Sequence, residues 1–182
     1  MIRLEPASNL WLITGPTHSG KTTFLFEIVE LFKKKGFSCS GLLCPARFSR
    51  GRRIGYEGMN IHTGEIFPLA GIDGPENRQK AGRFYFDPDG LAKAKAAVSG
   101  ISRADLTVVD EIGHLELRGS GLWPEVLGLL KQPQVKWFVV RRSLVDRFLK
   151  RIGQGTPVLH FSDTDLTVKL ESVMGKAPPS RR

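Results

Sequence analysis

Residues 15–23 read GPTHSGKTT and follow, after Thr14, on the apolar run Leu10-Trp11-Leu12-Ile13. Gly15, four intervening residues, then Gly20-Lys21-Thr22 satisfy the G-x-x-x-x-G-K-[ST] pattern of a loop that holds phosphate. The chemistry asks for these residue types. Phosphate oxygens must approach a run of backbone N–H groups, so side chains there must be small or absent. Gly15 permits a sharp exit from the strand, and Gly20 a close approach of backbone to anion. The loop Pro16-Thr17-His18-Ser19 and the N-terminus of the helix behind it then face the anion together. His18 contributes its N–H, with its side chain turned to solvent. Lys21 reaches the β and γ phosphates, the Thr22 hydroxyl completes a Mg2+ shell, and Thr23 adds an auxiliary contact from the first helical turn.

Outward from this loop, short apolar strands alternate with amphipathic helices, the pattern of an α/β chain with a mostly parallel sheet covered on both faces. Leu10–Thr14 is the first strand. A helix is expected over 21–35, with Leu25, Ile28, Val29 and Phe32 on one face and Gly36 as its stop. Residues 38–44 read as the second strand. The rhythm then breaks over 45–86, which is rich in Gly and Arg. Two short strands around His62-Thr63-Gly64 are expected there, as an antiparallel excursion on the sheet edge. The alternation resumes with a helix from Pro88, capped by Asp87. Strands at 106–111, 135–140 and 156–161 follow, with helices within 120–131, from 143 and over 163–173. Ser143 and Asp146 resemble a capping box. One domain over residues 1–175 and a disordered tail at 176–182 are expected.

The second decisive stretch is LTVVDEIG, Leu106 to Gly113. Apolar residues followed by Asp110 and Glu111 place two carboxylates at the C-terminal end of a central strand. The first strand delivers the phosphate loop to that same edge, where open α/β sheets bind ligands. Asp110 suits the Mg2+ shell of a Walker B strand. Glu111 suits a general base that draws a proton from water in line with the terminal phosphate. Glu116 has two readings, a group that orients the site or a solvated side chain. Phosphoryl chemistry also needs positive charge beyond Lys21. Arg47, after the second strand, and Arg141 and Arg142, after Val140, are candidates. So are Arg52, Arg53, Arg78 and Arg83, in an excursion able to fold over the nucleotide as a lid.

The chain has 182 residues and a formal charge of +9, with a pI near 9.9. Such a surface suits polyanions: a nucleoside triphosphate first, nucleic acid last, because no reader motif or interleaving of aromatic with basic residues is present. Cys39 and Cys44 lie five apart on one strand and so face opposite ways, which fits two small core residues of a reducing cytoplasm. No uncharged apolar run approaches the ~20 residues of a membrane span. A cytoplasmic protein is expected.

GPTHSGKTT, the segment RGRRIGYEGMNIHTGEIFPLA, GRFYF and above all VVDEIGHLEL together resemble the cancer-related nucleoside-triphosphatase family, small P-loop proteins with an Asp-Glu-Ile-Gly signature. The resemblance covers most of residues 10–142. It implies a RecA-like P-loop fold and slow, Mg2+-dependent hydrolysis of ATP, GTP and other triphosphates to diphosphate and phosphate. Carried over by position, Gly15 to Thr22 and Leu106 to Gly113, with Ile112 and Gly113 included, are nucleotide-binding segments. Glu111 is then the base and Arg47 a phosphate-side arginine. Two departures stand out: Arg141-Arg142 where the family has a His-Arg pair, and LHFSDTDL where it often has an Asn-Arg pair. Two other functions share the same cradle: a nucleotide or nucleoside kinase with an unknown acceptor, and a nucleotide-switched GTP-binding adaptor.

Overall fold

Leu12 and Ile13 are both fully buried, yet they belong to different apolar clusters. Val109 and Val108 divide in the same way, as do Phe138 and Trp137. Successive residues of a strand point to opposite faces, so these pairs mark strands covered by helices on both sides. The computed structural model describes residues 9–17, 19–99, 104–153, 156–162 and 166–175. His18 and the tail at 176–182 lie outside these residues.

In chain order the strands are β1 (Leu10–Thr14), β2 (Cys39–Leu43), β3 (Ala46–Ser49), β4 (Arg52–Asn60), β5 (Ile66–Gly71), β6 (Lys80–Ala81), β7 (Phe84–Phe86), β8 (Leu106–Ile112), β9 (Val135–Val140) and β10 (Val158–His160). The helices are α1 (Lys21–Lys34), α2 (Pro88–Ser99), α3 (His114–Leu117), α4 (Trp123–Leu130), α5 (Val145–Ile152) and α6 (Leu166–Gly175). All ten strands join one sheet in the order β10-β1-β9-β8-β2-β4-β5-β7-β6, with β3 beside β4. Pairing is parallel from β10 through β2 and antiparallel from β2 onward. The sheet is therefore mixed, with its flanking helices consistent with RecA-like architecture. The expectation of a mostly parallel sheet with a two-stranded excursion needs correcting: the excursion holds five strands, β3 to β7. The short strands β6 and β7, two and three residues long, carry too little periodicity for sequence patterning to resolve them.

One face of the sheet packs on α2, α4 and α5 through Ala94, Ala97, Trp123, Val126 and Phe148. The other packs on α1 and α6 through Leu25, Val29, Phe32, Leu166 and Leu170. Asp87 caps α2 as its sequence suggests, its Oδ1 accepting the Gly90 N–H at 2.9 Å. The Ser143–Asp146 capping box does not form. Residues Arg142–Leu144 make a 3-10 turn, so Ser143 sits inside a turn and Leu144 stands at the cap of α5. Lys136, within the apolar run of β9, is fully buried. Its Nζ donates to the Gln132 and Gln134 carbonyls at 2.6 and 2.7 Å, at the strand end opposite the site. Among the described residues, no helix is long and apolar enough to cross a membrane.

Candidate active site

The phosphate loop leaves β1 at Gly15 and enters α1 at Lys21. Gly20, the residue that caps α1, has φ +86°, a left-handed conformation that only glycine adopts without strain. Gly15 needs a different reason from the expected sharp exit. A Cβ there would stand 2.8 Å from the Cβ of Phe161, which follows β10 and donates its N–H to the Thr14 carbonyl at 2.7 Å. Close packing of β10 against the loop, rather than backbone torsion, excludes a side chain.

Lys21 is buried, and its ammonium closes on its own loop. Nζ donates to the Pro16 carbonyl at 2.6 Å and the Gly15 carbonyl at 3.3 Å, and lies 3.4 Å from Ser19 Oγ. Ser19 Oγ in turn donates to the Pro16 carbonyl at 2.8 Å. The next residue carries the most informative contact in the molecule. Thr22 Oγ1 donates to Asp110 Oδ2 at 2.7 Å, across 88 positions of sequence. β9 lies between β1 and β8, so the two side chains meet over its end, at the C-terminal edge of the parallel strands.

Strand β8 runs to Ile112, one residue beyond expectation, so Asp110 and Glu111 are both within it. Asp110 is 3% exposed, and burial raises its carboxyl to about 6. The Thr22 hydroxyl, the Cys44 N–H and Lys21 act in the opposite direction, whereas the Glu111 carboxylate adds to the rise. Glu111 is partly exposed, and its Oε1 accepts from Arg141 Nε and Nη2 at 3.0 and 2.8 Å. Glu116 is buried, which settles its two readings against a solvated side chain. Its Oε2 accepts the Gly113 N–H at 2.9 Å and its Oε1 the Leu122 N–H at 3.2 Å. It ties together the connection that leaves β8. Cys44 sits beside Asp110, and burial followed by that carboxylate pushes its thiol well above the ordinary range.

These groups line a cavity of about 830 Å³ that runs from Thr17 and residues 19–23 past Asp110 and Glu111 towards β4, β6 and β7. Arg53, Arg83, Arg118 and Arg141 line it. Arg47 stands exposed on β3 outside the lining, and Arg52, Arg78 and Arg142 are also outside it. Sequence reasoning passed over Tyr56, Lys80, Phe84 and His114, which line the same cavity. The basic and aromatic residues of GRFYF, just after a strand too short to read, were the available signal.

A Mg2+ ion suits the donors present. Mg2+ keeps several waters and takes one or two protein oxygens plus phosphates, and a hydroxyl and a buried carboxylate lie together here. Among the described residues no three His, Cys, Asp or Glu side chains form a metal cage.

A family model described as NTPase, NTPase_1, matches residues 11–166. The chain belongs to the NTPase_1 family. Membership classes it with NTPase-type enzymes. The nucleoside-triphosphatase THEP1 of Hyperthermus butylicus is 31% identical over 140 residues, covering 76% of this chain and 74% of that one. That of Pyrococcus abyssi is 30% identical over 143 residues, covering 76% and 77%. With the THEP1 of Methanopyrus kandleri the match is 31% over 112 residues, and the chain spans 60% of that relative's length. Two solved structures share the fold of this family member. A human cancer-related nucleoside triphosphatase has a TM-score of 0.70 at 21% identity, covering 96% of this chain and all of that one. THEP1 from the hyperthermophile Aquifex aeolicus has a TM-score of 0.64 at 20% identity, covering 94% and 99%.

Proposed function

We propose that this protein hydrolyses nucleoside triphosphates to diphosphate and phosphate with Mg2+, slowly and with little base selectivity. The observation that carries the reading is the Thr22–Asp110 hydrogen bond, which joins a phosphate loop to a strand-end carboxylate pair. Family membership and the relatives' description as nucleoside-triphosphatases support it.

Thr22 and Asp110 would hold the Mg2+ ion of the substrate complex. Bound there, it supplies neutralising charge to the β and γ phosphate oxygens. Lys21 exchanges its loop carbonyls for the same phosphates, a trade that leaves its charge hydrogen-bonded throughout. Glu111 accepts a proton from the attacking water. Arg141, already at Glu111, takes the charge-stabilising role that the resemblance gives to Arg47. Slow turnover is carried over from the family resemblance. Little base selectivity is read from the placement of the polar groups, which address phosphates common to every nucleoside triphosphate.

The test is a panel of the common nucleoside triphosphates with Mg2+, each followed for free phosphate and repeated in EDTA. Release from several of them, abolished by EDTA, is expected. Lys21→Ala should weaken triphosphate binding severely. Glu111→Gln should retain binding and lower turnover by ~10²-fold. Near-normal turnover in that variant removes Glu111 as the base.

A further inference from the structure

The triphosphate reading accounts for only part of the cavity. Its phosphate end is formed by the loop and Asp110, while the remainder extends beyond Glu111 between β4 and the β6–β7 hairpin. An 830 Å³ volume matches a whole small-molecule site.

The far end has a distinct chemistry. Tyr56 and Phe84 meet edge to face with ring centroids 5.1 Å apart. The Arg53 guanidinium lies 5.2 Å from the Tyr56 ring centre and 5.6 Å from that of Phe84. Arg83 lies 5.1 Å from the Phe84 ring and donates to the Arg53 carbonyl. Arg53 Nε is buried with no hydrogen-bond partner among the described residues. Such a donor ordinarily finds a partner, since leaving it bare carries a desolvation penalty.

Charge is unbalanced in the same place. The acids lining the cavity are Asp110, Glu111 and Glu116. Each is already engaged, by the Thr22 hydroxyl, by Arg141, and by two backbone N–H groups. Arg53, Lys80, Arg83 and Arg118 also line it, and none forms an ion pair among the described residues. Tyr56 links the two ends, because its hydroxyl feels both Glu111 and Arg141.

We infer that this chamber is a second ligand site, which takes a ring-bearing phosphate monoester while a triphosphate occupies the loop. The ring packs on Tyr56 and Phe84, and the dianion is held by the Arg53 and Arg83 guanidinium groups, whose forks match phosphate oxygens. The inference rests on the triphosphate reading for which end of the cavity is already filled.

Titration calorimetry tests it with the protein saturated by Mg2+ and a β,γ-imido triphosphate, so that the loop is closed to other phosphates. The probes are AMP, GMP, CMP and UMP. Saturable binding of at least one, at one per chain and with a Kd of 1 mM or tighter, is expected. Arg83→Gln, at an exposed position, and Phe84→Leu should each weaken that binding at least tenfold, with the triphosphate analogue still saturating the loop. No saturable binding of any probe overturns the inference, as does binding that both variants leave unaltered. Failure of the analogue to bind, or of phosphate release in the triphosphate panel, tells against the hydrolase reading instead. The two are thus separable.

Discussion

Asp110 is asked to hold a cation and to stay buried, and these demands conflict when no cation is bound. Its carboxyl is raised to about 6, chiefly by burial. The unfolded chain ionises this group near its ordinary value of 3.8. Between those values the native state binds more protons than the unfolded one, so stability falls as pH rises through the window. Above it, the metal-free protein carries a cost on the order of 3 kcal/mol. Asp110→Asn keeps an oxygen acceptor for the Thr22 hydroxyl and removes the charge. In EDTA at pH 7.5 that variant should melt roughly 6–12 °C above the parent protein, and the gap should close near pH 4. Phosphate release should be lost. A melting difference that stays flat from pH 4 to 7.5 would refute this account. The pairing of Asp110 with Thr22 was legible in sequence, because a strand-end acid and a strand-to-helix loop share one sheet edge. The pairing of Glu111 with Arg141 was not. Which arginine arrives depends on β9 lying between β1 and β8, and strand order is not written in local pattern.

At the scale of elements, α3 and the connection to α4 are held by one side chain. Glu116 satisfies the N–H groups of Gly113 and Leu122, one on each side of α3. Helix α3 has only four residues, too few to persist by its own hydrogen bonding. Glu116→Ala leaves two amides without their partner and should cost roughly 2–6 kcal/mol, at 1–3 kcal/mol for each buried unsatisfied group. Urea denaturation reads that loss. Glu116→Gln keeps the size and one carbonyl acceptor, so it should recover about half the stability. Because the connection begins at Gly113, two residues beyond Glu111, the Ala variant should also depress kcat more than it raises KM. Equal effects of Ala and Gln on stability would show that packing, not the hydrogen bonds, is what Glu116 contributes. Long elements such as α1 and β9 were legible because each repeats its apolar spacing several times. The capping pattern at Ser143–Asp146 misled because a 3-10 turn displaced the helix start. Glu116 gives no such signal, since its partners are backbone groups six or fewer residues away.

On the scale of the whole molecule, the site joins parts of the chain that lie far apart in sequence and on different strands of the one sheet. The loop belongs to β1 and α1, the carboxylates to β8, Arg141 to the end of β9, and the chamber to the antiparallel half. A triphosphate whose Mg2+ would be held by Thr22 and Asp110 binds only the folded arrangement, so its binding energy adds to global stability. A non-hydrolysable triphosphate with Mg2+ at a hundred times its Kd should stabilise by about 2.7 kcal/mol. For a chain of this length that corresponds to a melting shift of roughly 5–10 °C. Omitting Mg2+ should remove most of the shift, since Asp110 then faces the phosphates with its charge unbalanced. Lys21→Ala should remove it at the same ligand concentration, whereas the melting point of the free variant should change little, because the hydrogen bonds of Nζ among the described residues go to loop carbonyls and the Ser19 hydroxyl. Asp110→Asn supplies the sharpest comparison. It should raise the melting point of the free protein and abolish the Mg2+-dependent part of the shift, separating the cost of a buried charge from the gain of its cation. If that variant still shows the full Mg2+-dependent shift, the cation is held elsewhere, and the Thr22–Asp110 contact is structural only.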